Sequence, residues 1–361
     1  MLSTFDKDNL LISEPLVSII VITYNSIKYV LETLESAKAQ TYPNIELIVS
    51  DDCSTDNTVE ISEKWINENK NRFVKTQLIT VKKNTGIPAN CNRGVQASSG
   101  TWIKLIAGDD MLLENCIQDN VQFIHSNPLA KIVQSNSNTY NKEFTISSFK
   151  EEEYRSGSEI HPPLFSIKWL KIRLKINRIN LLGNGYIKSD LREIFIDNKI
   201  NAKEQYRILL RYNMVNAPTV FTNKSLLNEF NGFDESIPFV EDLPMWLRIT
   251  KTGIKIHFLN STTVNYRLHD NSITGEHIIN TIFNRYHLKL RDVYIKYIFP
   301  DIPAIERFFI NYEYYRLKRL EKLGLNKSKP IYKLIHLLTY IPTYVCEKLV
   351  LKSLLKALNN R

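Results

Sequence analysis

The sequence is poor in the features that mark secreted, disulfide-stabilised and membrane-spanning proteins. Its four cysteines, Cys53, Cys91, Cys116 and Cys346, lie far apart and form no C-x-x-C pair. We therefore expect free thiols in a reducing compartment rather than a disulfide framework. The residues before Pro15 include acidic side chains and no sustained apolar run, unlike a secretory signal. These absences favour a cytoplasmic protein.

Long apolar runs and repeats are also missing. The longest uncharged stretch near the C-terminus, residues 334–346, contains Pro342 and is shorter than the about 20 apolar residues that a membrane-spanning helix needs. No internal repeat or low-complexity tract is present. What remains is a globular chain of 361 residues, 43% of them hydrophobic, which is enough to bury a substantial core.

Positive charge is concentrated at the C-terminal end. Residues 281–361 contain 16 Lys or Arg against 6 Asp or Glu, whereas the whole chain has a net charge of +9. Near the end, leucines align on one helical face and lysines on another: Leu351, Leu354, Leu355, Leu358, and Lys348, Lys352, Lys356. We predict that residues 276–361 form a basic, amphipathic helical region. It would lie on an anionic membrane surface or, alternatively, pack on the preceding domain or on a second copy in a homodimer.

Short β-branched runs alternate with stretches of helical periodicity through the first 140 residues. Strands are predicted at residues 16–23, 45–50, 73–81 and 101–106, each followed by a segment with helical spacing. This alternation predicts a Rossmann-like α/β fold with a mostly parallel sheet flanked by helices. From residue 151 to residue 212 the pattern loosens, and we expect loops and helices in a variable insertion. Residues 241–252 predict a further helix, and residues 217–221, 254–259 and 263–267 predict strands.

Polar clusters fall where predicted strands end. They are Thr23-Tyr24-Asn25, Asp51-Asp52, Asp109-Asp110 and Glu241-Asp242. The carboxyl ends of strands in such a sheet converge on one crevice, so acids far apart in sequence are expected to line one site. Adjacent carboxylates there can hold a hard divalent cation, which in turn can hold phosphate. A single acidic pair is more often a solvated turn, but three pairs at matching positions favour a site.

Seven motifs in order resemble those of the family-two glycosyltransferases. They are V-S-I-I-V-I-T-Y-N (17–25), S-D-D-C-S-T-D-N-T (50–58), N-T-G-I-P-A-N-C-N-R-G (84–94), I-A-G-D-D (106–110), N-G-F-D-E (231–235), E-D-L-P-M-W-L-R (241–248) and Y-R-L-H-D-N-S (266–272). The resemblance covers roughly residues 15–272 and implies a GT-A fold. It implies a glycosyltransferase domain over residues 1–275, with a nucleotide-binding half at 15–140 and an acceptor half at 141–275.

The resemblance also implies an inverting, metal-dependent transfer from a UDP-sugar. By similarity, Asp110 is a ligand of Mn²⁺ or Mg²⁺, and Asp109 faces the ribose. Asp242 matches the catalytic base, which takes the proton from the acceptor hydroxyl. There is a structural alternative for Asp242 and its neighbour Glu241. Both acids would suit the first turn of a helix, where the helix dipole favours negative charge.

The remaining site residues follow from the same resemblance. Asp52 matches the acid that accepts a hydrogen bond from the uracil ring, whose N3–H is a donor. Thr23, Tyr24 and Asn25 line the nucleotide pocket together with the Asn84-to-Gly86 turn. For Asp51 and Asp52 the structural alternative is helix capping, a role that we assign instead to the residues at 54–56.

The last motif would supply phosphate contacts. Arg267, His269 and Ser272 lie on a loop that closes over the diphosphate in relatives. Arginine binds phosphate in a bidentate manner, and histidine can donate to phosphate or ligate the metal. We therefore expect Arg267 to bind the nucleotide and His269 to ligate the metal.

One position departs from the family pattern. Cys91 stands where many relatives carry the arginine of an Ala-Arg-Asn motif. Arg93 and Lys104 are candidates to replace that arginine. The resemblance also implies an acceptor saccharide that is linked to a lipid such as undecaprenyl diphosphate. The reaction would then belong to O-antigen or capsule synthesis, at the inner face of the cell membrane.

Two other classes also fit part of the sequence. A nucleotidyltransferase uses paired acids and a metal, but residues 17–25 contain no Gly-rich, Lys/Arg-containing signature. A non-enzymatic nucleic-acid-binding protein explains the basic tail, yet acids in a groove repel phosphate. We therefore predict no nucleic-acid partner.

Overall fold

The computed structural model describes residues 14–140, 191–197, 199–269 and 290–322, together with residues 349 and 353. Its first half is built from strands β1 (Val17–Thr23), β2 (Ile45–Asp51), β3 (Lys75–Thr80) and β4 (Trp102–Ala107). Helices α1 (Val30–Lys38), α2 (Thr58–Asn69) and α3 (Ile87–Ala97) connect them. These four strands are parallel and adjacent in the order β3-β2-β1-β4.

The second half extends the same sheet with mixed directions. It contains β5 (Met111–Leu112), α4 (Cys116–Ser126), β6 (Ile132–Tyr140), α5 (Ala202–Leu209), β7 (Phe221–Asn223), α6 (Lys224–Glu229), α7 (Asp242–Lys251) and β8 (His257–Arg267). Among the described residues, the sheet has eight strands in the order β3-β2-β1-β4-β7-β6-β8-β5. β7 is antiparallel to both of its neighbours, β5 is antiparallel to β8, and β6 is parallel to β8. The predicted α/β class with a mostly parallel sheet is confirmed.

Apolar side chains cover both faces of the sheet, as expected for strands between two helical layers. Ile20 and Ile48 face the core that includes α3 and α7, whereas Ile19 and Leu47 face the core beneath α1, α2 and α4. Gly94 allows α3 to approach β1, because a Cβ there would lie 2.4 Å from Cγ2 of Ile20. Both faces of β1 and β2 are therefore buried, whereas the edge strand β3 is partly exposed.

The C-terminal part of the described chain is helical. A π-helix spans Tyr294–Ile298, and α8 spans Ala304–Lys322. Asp234, between α6 and α7, connects the π-helix to this α/β domain, because it accepts hydrogen bonds from Lys296 Nζ at 2.7 Å and Tyr297 Oη at 2.6 Å. Within the described ranges, no helix has the length and apolar character needed to cross a bilayer.

Several boundaries differ from the sequence predictions. The expected strand at residues 217–221 is a 3₁₀ turn, Ala217–Thr219, followed by β7, and the two strands expected between 254 and 267 are one strand, β8. β6 was not predicted because its residues, I-V-Q-S-N-S-N-T-Y, are largely polar. Met111 and Leu112 pair with β8, so the helical segment that follows the strand predicted at 101–106 begins at Cys116. The insertion at 151–190, Ser272 and the amphipathic pattern at 348–358 lie outside the described residues, apart from residues 349 and 353.

Candidate active site

A cleft of about 550 Å³ opens at the carboxyl ends of β1, β2 and β4. Eight of the eleven predicted site residues line it: Thr23, Tyr24, Asp52, Asn84, Gly86, Asp109, Asp110 and Asp242. The other three, Asn25, Arg267 and His269, are not among its lining residues. The strand-end rule thus brings the acidic motifs to one site, as expected.

The loops after β1 and β2 are fastened to each other. Asp51 accepts hydrogen bonds from the Thr23 hydroxyl at 2.8 Å and from the Ser54 backbone N–H at 2.8 Å. Asn25 has a φ of 52°, and its side-chain oxygen accepts the Thr55 N–H at 2.8 Å. Asn25 therefore shapes the loop that carries Tyr24, which accounts for its position outside the cleft lining.

Asp52 is a buried carboxylate with four donors. Oδ2 accepts the backbone N–H groups of Thr85 and Gly86 at 2.9 and 2.8 Å. Oδ1 accepts the Thr85 hydroxyl at 2.6 Å and Arg93 Nη2 at 2.9 Å. A carboxylate offers about four lone-pair positions, so a nucleotide N–H can bond Asp52 only in place of one of these donors.

Arg93 occupies the neighbourhood of the missing family arginine. Its Nη2 atom lies 2.9 Å from both Asp52 Oδ1 and the Asn90 side-chain oxygen. Cys91 is buried at the cleft wall, where burial and the negative charge of Glu241 raise the pKa of its thiol. Of the two candidate replacements, Arg93 is the one that contacts Asp52.

Lys104 lies elsewhere. It is fully buried on β4, between cleft-lining residues Ile103 and Leu105 and on the opposite face of the strand. Its Nζ atom has no hydrogen-bond partner among the described residues. Burial lowers the pKa of Lys104, although the nearby Cys116 and Asp110 act in the opposite direction.

The acidic motif after β4 is held close to β1. A Cβ on Gly108 would lie 2.8 Å from Cγ2 of Thr23, so only glycine fits this turn without displacement. Asp110 is 2% exposed, and its Oδ1 atom accepts the backbone N–H of Arg267 at 2.9 Å. Burial and the neighbouring Asp109 raise the pKa of Asp110 well above its usual range. Asp109 Oδ2 lies 3.0 Å from His269 Nε2.

The side chain of Arg267 supports this motif from outside the cleft. Its Nε donates to the Asp109 carbonyl oxygen at 2.8 Å, and its guanidinium pairs with Glu32. The guanidinium carbon also lies 4.2 Å from the centre of the Tyr29 ring. Because Arg267 is 2% exposed, its charge is already engaged by the protein.

The acidic pair can hold a divalent cation. No group of three His, Cys, Asp or Glu side chains arranged for a metal occurs in the described part of the chain. Mg²⁺, however, is commonly bound by one or two carboxylates plus substrate phosphates and water. Asp109 and Asp110 supply such oxygens at the cleft, and a nearby cation would favour the ionised form of Asp110. The donor set therefore fits a hard cation held jointly with a diphosphate.

A second acidic pair lies at the start of α7, on the cleft wall. Asp242 Oδ1 accepts the Leu243 N–H at 2.7 Å, and Oδ2 accepts the side-chain N–H of Asn213 at 2.7 Å. Burial and the charge of Asp242 raise the pKa of Glu241 to about 8. Near neutral pH, Glu241 is therefore largely protonated.

Several cleft residues were not predicted from the sequence. Arg192, Asn213, Asn216 and Tyr266 all line the cleft. Asn216 donates to the Ser137 hydroxyl at 2.8 Å. Asn213 and Asn216 follow the loosened stretch and belong to no recognisable motif, so the sequence carries no signal for them.

Comparison with known proteins identifies the class. The profile of "Glycosyl transferase family 2" matches residues 18–191. The Escherichia coli protein named "UDP-Glc:alpha-D-GlcNAc-diphosphoundecaprenol beta-1,3-glucosyltransferase WfaP" is 27% identical over 72% of this chain and 80% of its own length. A putative teichuronic acid biosynthesis glycosyltransferase from Bacillus subtilis, TuaG, is 21% identical over 73% of this chain and 82% of its own.

Solved structures agree on the fold. Residues 1–349 of Staphylococcus aureus TarS in complex with UDP-GlcNAc align with a TM-score of 0.51 and 17% identity, over 91% of this chain and 80% of that one. The Pyrobaculum calidifontis mannosyltransferase PcManGT, in complex with GDP-Man and Mn²⁺, aligns with a TM-score of 0.50 and 14% identity, over 92% and 74%.

The protein is thus a glycosyltransferase with a GT-A fold. Residues 18–191 match glycosyltransferase family 2, and the relatives of the chain include enzymes of bacterial surface polysaccharide synthesis. The predicted family, fold and enzyme class are confirmed, and the two other classes considered from the sequence are set aside.

Proposed function

We propose that this glycosyltransferase moves a hexose or N-acetylhexosamine from a UDP-sugar to a hydroxyl group of a lipid-linked saccharide, with inversion at the anomeric carbon. The observation that carries the proposal is the placement of two acidic pairs, Asp109-Asp110 and Glu241-Asp242, on the walls of one cleft. The first suits the diphosphate side of a nucleotide sugar, and the second offers a base for an acceptor hydroxyl. The named substrates of WfaP, a UDP-sugar and a diphosphoundecaprenol-linked sugar, support this choice.

The chemistry assigns one proton transfer to this chain. Asp242 takes the proton of the acceptor hydroxyl. As the proton leaves, the hydroxyl oxygen bonds to the anomeric carbon, while the bond from that carbon to the diphosphate oxygen breaks. A single displacement of this kind inverts the anomeric centre and needs no covalent enzyme intermediate. Mn²⁺ or Mg²⁺ bound by Asp110 would act as a Lewis acid for the negative charge on the departing UDP.

The nucleotide side of the proposal uses the remaining predicted residues. Thr23, Tyr24 and Asp52 surround the base, Asn84 and Gly86 close the pocket beside it, and Asp109 faces the ribose. Arg267 is proposed to bind the nucleotide and His269 to ligate the metal, and both also contact Asp109. Asn25 acts through the loop that bears Tyr24.

The cellular setting is part of the same proposal. A lipid-diphosphate acceptor would bring the enzyme to the inner face of the cell membrane, during assembly of O-antigen or capsule. The excess of basic residues after residue 280 suits an anionic membrane surface, and a second copy of the chain is the alternative partner.

A donor panel tests the proposal. UDP release is measured with Mn²⁺ and a set of UDP-sugars, for the wild type and for Asp242→Asn and Asp110→Asn. We expect Asp242→Asn to lower kcat by about 10²- to 10⁴-fold, the usual contribution of a general base, while calorimetry still detects UDP binding. Asp110→Asn should weaken the Mn²⁺-dependent binding of UDP itself.

Asp119→Asn is the matched control. Asp119 accepts a hydrogen bond from Ser261 at 2.7 Å and is not among the cleft-lining residues, so this variant should retain wild-type turnover. The proposal fails if no UDP-sugar is bound or cleaved, or if Asp242→Asn and Asp119→Asn have the same kcat.

A further inference from the structure

The carboxylate of Asp242 has one side-chain partner. In the described ranges, Asn213 is the side chain that hydrogen-bonds it, with 2.7 Å between Asn213 Nδ2 and Asp242 Oδ2. The backbone N–H of Leu243 also donates to this carboxylate, at 2.7 Å from Oδ1. Two donors on different oxygens fix the plane of a carboxylate and leave its remaining lone pairs for other partners.

The orientation of Asn213 is itself determined. Its side-chain oxygen accepts the backbone N–H of Val215 at 3.2 Å. The amide nitrogen must therefore face Asp242, because the flipped amide would place its oxygen against a carboxylate and its nitrogen against an N–H group. Met214 and Val215 are 7% and 2% exposed, so the segment that carries Asn213 is anchored in the core.

Two carboxyl groups on this wall of the cleft are candidate proton acceptors. Glu241 and Asp242 are adjacent, and both line the cleft, so either could accept a proton from a bound hydroxyl. Hydrogen bonds from N–H groups favour the charged form of a carboxyl group. Asp242 has two such bonds, one of them from a side chain, whereas in the described ranges Glu241 has one contact, with its own backbone N–H, and no side-chain donor.

We propose that Asn213 is a positioning residue that orients the Asp242 carboxylate and selects it, over Glu241, as the proton acceptor for the incoming hydroxyl. This inference rests on the proposed function, because it assigns Asn213 a role in the same transfer. Asn213 acts through Asp242 and takes no proton itself.

Two substitutions separate this role from a purely structural one. Asn213→Asp keeps an oxygen for the Val215 N–H but replaces the donor to Asp242 with a second carboxylate. Asn213→Ala removes both contacts. If Asn213 only shapes the loop, Asn213→Asp retains activity and Asn213→Ala loses it. If Asn213 positions Asp242, Asn213→Asp is impaired at least as strongly as Asn213→Ala.

We expect kcat to fall by about 10- to 100-fold in both variants, the contribution of a hydrogen bond to a charged group. KM for the UDP-sugar and the affinity for UDP, measured by calorimetry, should stay within about twofold, because the nucleotide side is untouched. The matched control is Asn223→Asp at the N-cap of α6. The Asn223 side-chain oxygen accepts the Ser225 N–H at 2.9 Å, and asparagine and aspartate are both favourable N-cap residues. The kcat of Asn223→Asp should therefore remain that of the wild type.

The outcomes are distinguishable from failure of the proposed function. In the Asp242→Asn background, Asn213→Ala should cause no further loss, because its effect passes through Asp242. If Asn213→Asp has wild-type kcat while Asp242→Asn is inactive, the positioning role is overturned and the base assignment stands. If Asp242→Asn is fully active, the base assignment itself is wrong. A fall in UDP affinity that matches the fall in kcat would also overturn the positioning role.

Discussion

The carboxyl groups at the two ends of the cleft have different environments. We call these ends, after their proposed roles, the nucleotide end and the acceptor end. At the nucleotide end, Asp51 and Asp52 are buried and receive hydrogen bonds from neighbouring loops and from Arg93. At the acceptor end, Asp242 has two donors, and Glu241 has a pKa raised to about 8. The first arrangement gives a rigid pocket whose charges are already compensated. The second leaves a base able to gain a proton, which is the property that the proposed transfer needs.

The contrast also separates stability from chemistry. Removing a buried, fully bonded carboxylate leaves several donors without partners, whereas removing a partly exposed base leaves few. Substitutions at the nucleotide end should therefore act mainly on folding, and those at the acceptor end mainly on turnover.

The largest expected effect comes from comparing Asp52→Ala with Asp242→Ala. Asp52→Ala should lower the free energy of unfolding by about 3 kcal/mol or more, because Arg93 and the Thr85 and Gly86 N–H groups lose their partner. Asp242→Ala should change it by less than about 1 kcal/mol. Urea unfolding followed by circular dichroism measures both. Equal losses would show that the two ends do not differ in this way.

The next effect concerns Glu241 and pH. Its pKa is raised in the folded protein to about 8 from an ordinary value of 4.5, so the fold prefers the protonated form. Stability should therefore be greatest at low pH and decline as pH rises through about 8. Relative to Glu241→Gln, which is neutral throughout, the wild type should lose about 3 to 4 kcal/mol between about pH 5 and pH 9.

The control for that experiment is Glu229→Gln, at the end of α6 and on the surface. Its pH profile of stability, measured by urea unfolding, should parallel the wild type. If Glu241→Gln parallels the wild type as well, Glu241 ionises normally and the contrast between the two ends is weaker than described.

The smallest expected effect concerns Lys104, a charged residue buried on the face of β4 opposite the cleft. Lys104 is buried without a hydrogen-bond partner in the described residues, and its pKa is lowered by burial. Lys104→Met has a similar shape and no charge, so it should raise the free energy of unfolding by about 1 kcal/mol at neutral pH. A loss of stability in urea unfolding would indicate instead that the amine supports Asp110 from inside the sheet.

Local patterns predicted much of the nucleotide half. β1, β2, α3 and β4 follow the β-branched runs and helical spacing of the sequence within about two residues, the usual boundary error. The strand-end rule also brought Asp52 and Asp110 to one cleft, whereas Asp242 lines that cleft from the start of α7, after a loop and not a strand. These features depend on short-range periodicity and on one general property of α/β sheets.

The features that were missed depend on contacts between distant segments. β6 is polar yet forms a strand because β8 pairs with it in parallel. Arg267 was expected at the phosphates, but its guanidinium is engaged by Glu32 and the Asp109 carbonyl. The role proposed for Asn213 depends on its hydrogen bond to Asp242. No local pattern encodes such pairings, because each is fixed by which segments become neighbours in the fold.

The pairing of β5 with β8 has a consequence for how the protein matures. The backbone N–H that holds Asp110 belongs to Arg267, 157 positions later in the chain, and β5 itself exists only against β8. A nascent chain that has left the ribosome only as far as α7 can form the four parallel strands but cannot lock its acidic motif. The acidic motif of the cleft therefore reaches its final geometry only after synthesis has passed residue 267.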